Sequence, residues 1–218
     1  LTTGTDNVAI GENAGDALTS GSRNTFVGDH AGSATTTANN NVGIGTNALL
    51  VNSTGASNTA VGKDALEANT TADNNTAIGN LALSLATTGA DNTGVGRSAL
   101  EATTTGAYNT AVGKDALKAN TTASNNTAMG WQAGLATTTG ASNTFLGQYS
   151  GSANTTGANN VAVGALSLDA NTTAANNVAV GYAALSGNTT GATNTAVGAL
   201  ALYSNTTAAN STAVGYNA

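Results

Sequence analysis

The chain has 218 residues, of which 40% are hydrophobic and only 7% charged, with no proline, no cysteine and a net charge of −6. Its five basic residues are too few to displace counterions from a phosphate backbone, which argues against a nucleic-acid partner and, for the same reason, against an anionic membrane surface. No run reaches the ~20 apolar residues of a transmembrane helix, so no membrane insertion is expected in this segment. Leu1 does not open a signal peptide. The sequence starts and stops inside a repeat, which reads as a segment of a longer protein.

Thirteen glycines recur every seventeen residues without insertion, from Gly11, Gly28 and Gly45 through Gly113 and Gly130 to Gly198 and Gly215. A unit this short buries a core only against its own copies, so residues 1–218 read as a single array of solenoid coils. Each coil is numbered here from its glycine as position 0. Position −4 is Asn in twelve of the thirteen coils, with Ser211 departing; position −3 is Thr or Val, and position −1 is always apolar. This N-T-A-V-G pattern predicts a short β-strand, because β-branched residues two apart line one face of a pleated segment. The glycine then fits a bend that needs positive φ or a close approach between coils. Beyond it, Ala or Ser at +3 and Leu or Gly at +4, as in Ala65-Leu66 and Ala116-Leu117, form either a second strand or one helical turn. Local propensity in "DALEA" and "DALKA" favours helix, whereas solenoid context favours extended chain. Each coil closes in turn-forming stretches such as Asn69-Thr70-Thr71-Ala72, whose Asn and Thr are suited to hydrogen-bonding along the stack. At about 4.8 Å per coil the array predicts a rod on the order of 60 Å long.

Substitutions inside the chain indicate which positions touch. Position −2 is Ala or Gly except at Phe26 and Phe145, and position +4 is mostly Leu but is Gly at Gly15, Gly32, Gly134 and Gly151, the +4 residues flanking those two rings. Volume conservation in a close-packed layer explains the pairing, so −2 and +4 are expected to share one interior. Phe26, Phe145, Ala111, Val112 and Leu117 are the expected core and assembly residues. Position −1 is as free of charge as −2 although it points to the opposite strand face, which calls for a second covering surface. The charged residues fall at +1, +2, +5, +11 and +12, the expected solvent face; the recurring Lys63-Asp64 and Lys114-Asp115 read as solvated pairs.

The strand motif in Asn109-Thr110-Ala111-Val112-Gly113 and Asn177-Val178-Ala179-Val180-Gly181 resembles the head repeats of trimeric autotransporter (YadA-like) adhesins, and the longer form also looks like repeats of phage and bacterial tail-fibre proteins. The resemblance covers all thirteen coils, although the seventeen-residue unit is longer than the usual head repeat. It implies an all-β, left-handed parallel β-solenoid or β-roll, three chains packed side by side, in an extracellular fibre of a cell surface or virion. It carries over no catalytic residue.

Chemistry is sparse. His30 is the sole histidine and the carboxylates are scattered singly, so neither a nucleophile–base pair nor a metal cluster assembles by spacing. No catalytic, cofactor or metal site is expected. Two surface signals remain. Trp131, Tyr149, Tyr182, Tyr203 and Tyr216 crowd the C-terminal half, which carries a single charge, Asp169, after Lys118. Amphipathic rings on a low-charge face suit a glycan or protein receptor. The paired Thr columns at +8 and +9, such as Thr87-Thr88 and Thr172-Thr173, raise ice binding as an alternative. Adjacent residues of an extended chain point to opposite sides, so only one outward column is expected. N-x-T sequons such as Asn69-Thr70-Thr71, Asn154-Thr155-Thr156 and Asn205-Thr206-Thr207 read as products of the repeat. The expectation is a structural fibre segment, spacer or receptor-presenting head, with a self-assembling filament subunit as another reading; its main partner is itself, as a homotrimer or filament.

Overall fold

The structure, a computed structural model, describes residues 3–218; Leu1 and Thr2 lie outside the described residues. The only regular elements among them are thirteen three-residue strands, one per coil: β1 Val8–Ile10, β2 Thr25–Val27, β3 Val42–Ile44, β4 Thr59–Val61, β5 Thr76–Ile78, β6 Thr93–Val95, β7 Thr110–Val112, β8 Thr127–Met129, β9 Thr144–Leu146, β10 Val161–Val163, β11 Val178–Val180, β12 Thr195–Val197 and β13 Thr212–Val214. The chain falls into two compact units, Leu1–Tyr108 with β1–β6 and Asn109–Ala218 with β7–β13. Within each unit the strands pair in parallel in chain order, and equivalent positions seventeen residues apart face one another, as in Ala60↔Ala77 and Ala162↔Ala179. The all-β parallel solenoid expected from the period is therefore the fold.

Residue −2 of each strand points into the coil, and residues −3 and −1 point out. Phe26, Phe145, Ala111 and Leu117 are fully buried, as expected. Val112 is not: like every −1 residue it faces outward, and its column includes Ile10, Ile78 and Met129, the last 51% exposed. The second apolar face inferred from the sequence is real, and among the described residues its −1 side chains are half-buried or exposed. At the bend both expected reasons for glycine hold. Gly147 has φ 136°, and a Cβ there would lie 2.6 Å from the Gly164 carbonyl carbon and oxygen.

The segment after the bend is neither a strand nor a helical turn. Its backbone enters the left-handed region at +2 and again at +4, as at Asp64 (φ 57°) and Leu66 (φ 49°). Alternate N–H groups then reach opposite neighbours: Asp64 N–H donates to Thr46 O at 2.9 Å in the preceding coil, and Leu66 N–H to Ala82 O at 3.1 Å in the following one. A helical turn would satisfy these groups internally and strand their partners in adjacent coils, so stacking overrides the helical propensity of "DALEA". Left-handed leucine costs about 1–2 kcal/mol per residue, offset by the inter-coil bonds and by complete burial of Leu66.

A polar column of −4 asparagines runs through the interior of each unit. Asn58 Nδ2 donates across its own coil to Ala72 O at 2.8 Å, and its Oδ1 accepts the Asn75 N–H at 2.9 Å from the next coil. Asn126 and Asn143 repeat the arrangement in the second unit. The −4 Asn is thus a clip, buried in the inner coils, that joins one coil to the next and closes each coil on itself.

Candidate functional site

The aromatic-bearing wall of the second unit begins at the glycine bend, where +1 residues are held at a corner of the coil. Trp131, Gln148, Ala165 and Tyr182 occupy +1 in four successive coils. Along this wall the N–H of +2 donates to the +1 carbonyl of the coil before, from Gln132 to Asn217. Tyr149 N–H reaches Trp131 O at 3.0 Å, which sets Tyr149 beside Trp131 with ring centroids 4.9 Å apart and planes inclined 50°. Trp131 remains 42% exposed, Tyr182 56% and Tyr216 78%. Tyr149 is half-buried and not an exposed surface ring like Trp131, because +2 turns partly inward. The five aromatics do not form one site. Tyr182 shares the +1 column with Trp131, Tyr216 lies at +1 two coils further on, and Tyr203 sits at +5, on a different stretch of the coil.

The expected solvent face needs a second correction. Asp64 and Asp115, both at +2, are buried at 8% and 6% exposure. Lys63 Nζ lies 3.0 Å from Asp64 Oδ2 and Lys114 Nζ 3.7 Å from Asp115 Oδ2, so only the lysine ends are solvated. Burial by itself would raise the Asp64 carboxyl; hydrogen bonds from the Asn47 amide and Lys63, together with the Lys63 charge, outweigh it and hold the group below its ordinary value. Sequence reasoning missed this inward turn. The signal was the run of Asn, Asp and Ser at +2, residue types that tolerate left-handed backbone.

The threonine columns divide as expected. At +8 the hydroxyls are committed, Thr70 Oγ1 donating to Thr87 O at 3.1 Å and Thr155 Oγ1 to Thr172 O at 2.9 Å, while +9 residues such as Thr156, Thr173 and Thr190 are exposed. The sequon residues Asn69 and Asn154 are fully buried, their amides donating to Ala72 O and Gly157 O, which gives these asparagines a structural role; Asn205 bonds Ala208 O in the same way. His30 is held at the surface by Asp29, Nδ1 to Oδ1 2.7 Å. Among the described residues, no three of His, Cys, Asp or Glu come together to hold a metal ion, and no helix is long and apolar enough to cross a membrane.

Fold and surface together define a parallel β-solenoid protein built on an asparagine ladder, with an outward-facing apolar column in each unit and an aromatic wall on the second. Comparison with protein families, curated proteins and solved structures finds no match to this chain.

Proposed function

We propose that the chain is a structural segment of an extracellular fibre, left-handed and trimeric, acting as a rigid spacer or receptor-presenting head at a cell surface or on a virion. The observation that carries this reading is the outward sheet face. In all thirteen coils −3 and −1 hold only Thr, Val, Ile, Leu or Met, and on the single chain every −1 residue is half-buried or exposed, none fully buried. Within each unit, an apolar column without a single charge is what an interface between copies presents. A fibre built this way recurs the same surface positions along its length, so weak contacts to a repetitive target add as avidity. Light scattering tests it: the purified segment should weigh three times 20.9 kDa, and Val163→Lys with Val180→Lys should leave a folded protein at the monomer mass. A wild-type monomer would refute it, and open-ended polymers would favour a filament subunit.

A second reading rests on a different observation. The +9 residue is Thr in eleven coils, and those threonines are exposed. A regular row of uncommitted hydroxyls on a stiff backbone suits the ordering of lattice water, as in an ice-binding solenoid. Thermal hysteresis in solution is its test, and absence of hysteresis removes it.

A further inference from the structure

The +1 column changes character along the chain. In the first unit it carries Glu12, Asp29, Lys63 and Arg97; in the second, Lys114 is followed by Trp131, Gln148, Ala165 and Tyr182. We propose that this part of the second unit is a binding platform for a neutral carbohydrate chain lying along the stack, with Trp131 and Tyr149 as one stacking subsite and Tyr182 as another. Three inter-coil steps of about 4.8 Å separate the subsites by about 14 Å. The proposal deepens the receptor-presenting reading by naming the class of partner; its geometry does not depend on how many chains assemble.

Three features favour a sugar. First, the ring pair is brought together without a ligand, since the Tyr149 N–H ties its backbone to the Trp131 carbonyl at 3.0 Å and the rings sit 4.9 Å apart. Packing against Tyr149 still leaves Trp131 42% exposed. Preorganised aromatic surface is what the apolar C–H face of a pyranose stacks on, at low entropic cost. Second, the stretch between the subsites is polar without charge: Gln148 is exposed there, with an amide that both donates to and accepts from sugar hydroxyls, while the small Ala165 leaves room above the wall. Third, charge selects against ionic ligands. Asp169, at +5, is the only charged residue after Lys118, and the cation beside Trp131, Lys114, is tied to Asp115 at 3.7 Å. A proline-rich peptide also docks on aromatics, but by inserting into a groove between them; here the subsites are joined by exposed Gln148 and half-buried Ala165 in one column.

Trp131 is the only tryptophan, so its fluorescence reports this wall alone. The intact segment is titrated with glucose, mannose, galactose and N-acetylglucosamine oligosaccharides from di- to hexasaccharide, with heparin and a proline-rich decapeptide as the charged and peptide comparisons. At least one neutral series should shift the emission saturably, with affinity rising as the chain becomes long enough to reach Tyr182. Tyr182→Ala should weaken the hexasaccharide about tenfold and leave the disaccharide unchanged, and Tyr108→Ala should change neither. The proposal is overturned if no neutral series binds, if the peptide or heparin binds instead, or if Tyr182→Ala weakens all lengths equally. Light scattering on the same samples separates the two readings: an intact trimer that ignores sugars sinks the platform alone, and a monomer that binds them sinks the assembly alone.

Discussion

Replacing Phe145 by Ala tests the packing logic of the whole repeat. The ring is fully buried and lies between Ala128 and Ala162 in the strand register, with Gly134 and Gly151 at its edges. A Cβ on Gly134 would come within 2.7 Å of Phe145 Cδ2, and one on Gly151 would land on the opposite edge of the ring. The layer therefore has no larger neighbour to fill the space the ring leaves. A void on the order of 100 Å³ costs about 2.4 kcal/mol at ~24 cal/mol/Å³, and the lost transfer of the ring adds about 2 kcal/mol, for a total of about 4 kcal/mol. The triple variant Phe145→Ala, Gly134→Leu, Gly151→Leu rewrites the layer in the pattern of the other coils, where Leu117 and Leu168 already accept φ of 48° and 52°. Two buried leucines return about 2 kcal/mol each, less about 1–2 kcal/mol each for left-handed backbone, so the triple variant should regain part of the loss. Guanidinium melts followed by circular dichroism give the energies. Native-state hydrogen exchange should place the loss in the coils around β9 and spare those around Phe26, because each coil touches only its neighbours. A triple variant no more stable than Phe145→Ala would mean that −2 and +4 do not share volume, and the reasoning would fail.

Ala111 and Ala162 are fully buried, so Asp at either should abolish folding by burying an unpaired charge, a penalty of several kcal/mol, whereas Asp at the exposed Arg97 should leave the unfolding free energy within about 0.5 kcal/mol of wild type; equal behaviour would refute the assignment of faces. The Asp64 carboxyl titrates below its ordinary 3.8 in the folded chain. A folded value below the unfolded one contributes stability that is complete above about pH 4 and is lost as pH falls through the folded value. Asp64→Asn should flatten the acid limb of stability against pH, and an unchanged limb would disprove the role of that carboxylate. Asn126→Ala strands the Gly140 carbonyl and the Asn143 N–H, at about 1–3 kcal/mol for each buried group, and should cost more than Asn125→Ala at the neighbouring exposed position.

The fold was legible because stacking imposes identity. A position that meets its own copy above and below must suit itself, which is why Asn at −4, Gly at 0 and the compensation between Phe145 and its flanking glycines could be read without coordinates. The half-coil after the bend was not legible, because local propensity and stacking disagree there. "DALEA" is helical by composition, and only the inter-coil bonds of Asp64 and Leu66 reveal why it does not coil. Its signal was present in another form. Position −5 holds Asp6, Asn40, Asn74, Asp91 and Asn125, position +2 holds Asn13, Asn47, Asp64 and Asp115, and all have φ between 53° and 63°. Asn and Asp recurring at fixed offsets mark left-handed backbone, and glycine alternating with leucine at +4 marks it again. The aromatic wall was only partly legible: composition located the five rings in one half, but which of them share a column followed from coil positions, and only the structure showed Tyr149 turned inward against Trp131.

Uniformity along a column has two sources, and the threonines separate them. At +8 the hydroxyl bonds the next coil, so its constancy is structural. At +1, where the fold asks for nothing, the residue changes from Glu12 to Arg97 to Trp131 to Ala165. Position +9 is exposed like +1 yet stays Thr from Thr37 to Thr207. One cause is backbone stiffness: β-branching at Cβ restricts χ1 and favours extended chain. Val supplies the same stiffness without a hydroxyl. Thr156→Val, Thr173→Val and Thr190→Val together should therefore leave the melting midpoint unchanged if stiffness keeps the column uniform, while the corresponding Ser variants should lower it. Loss of stability in the Val variant and not in the Ser variant would show that the hydroxyl itself is structural. If Val and Ser variants are both as stable as wild type, the fold requires neither group, and the constancy of the column points to what its surface meets.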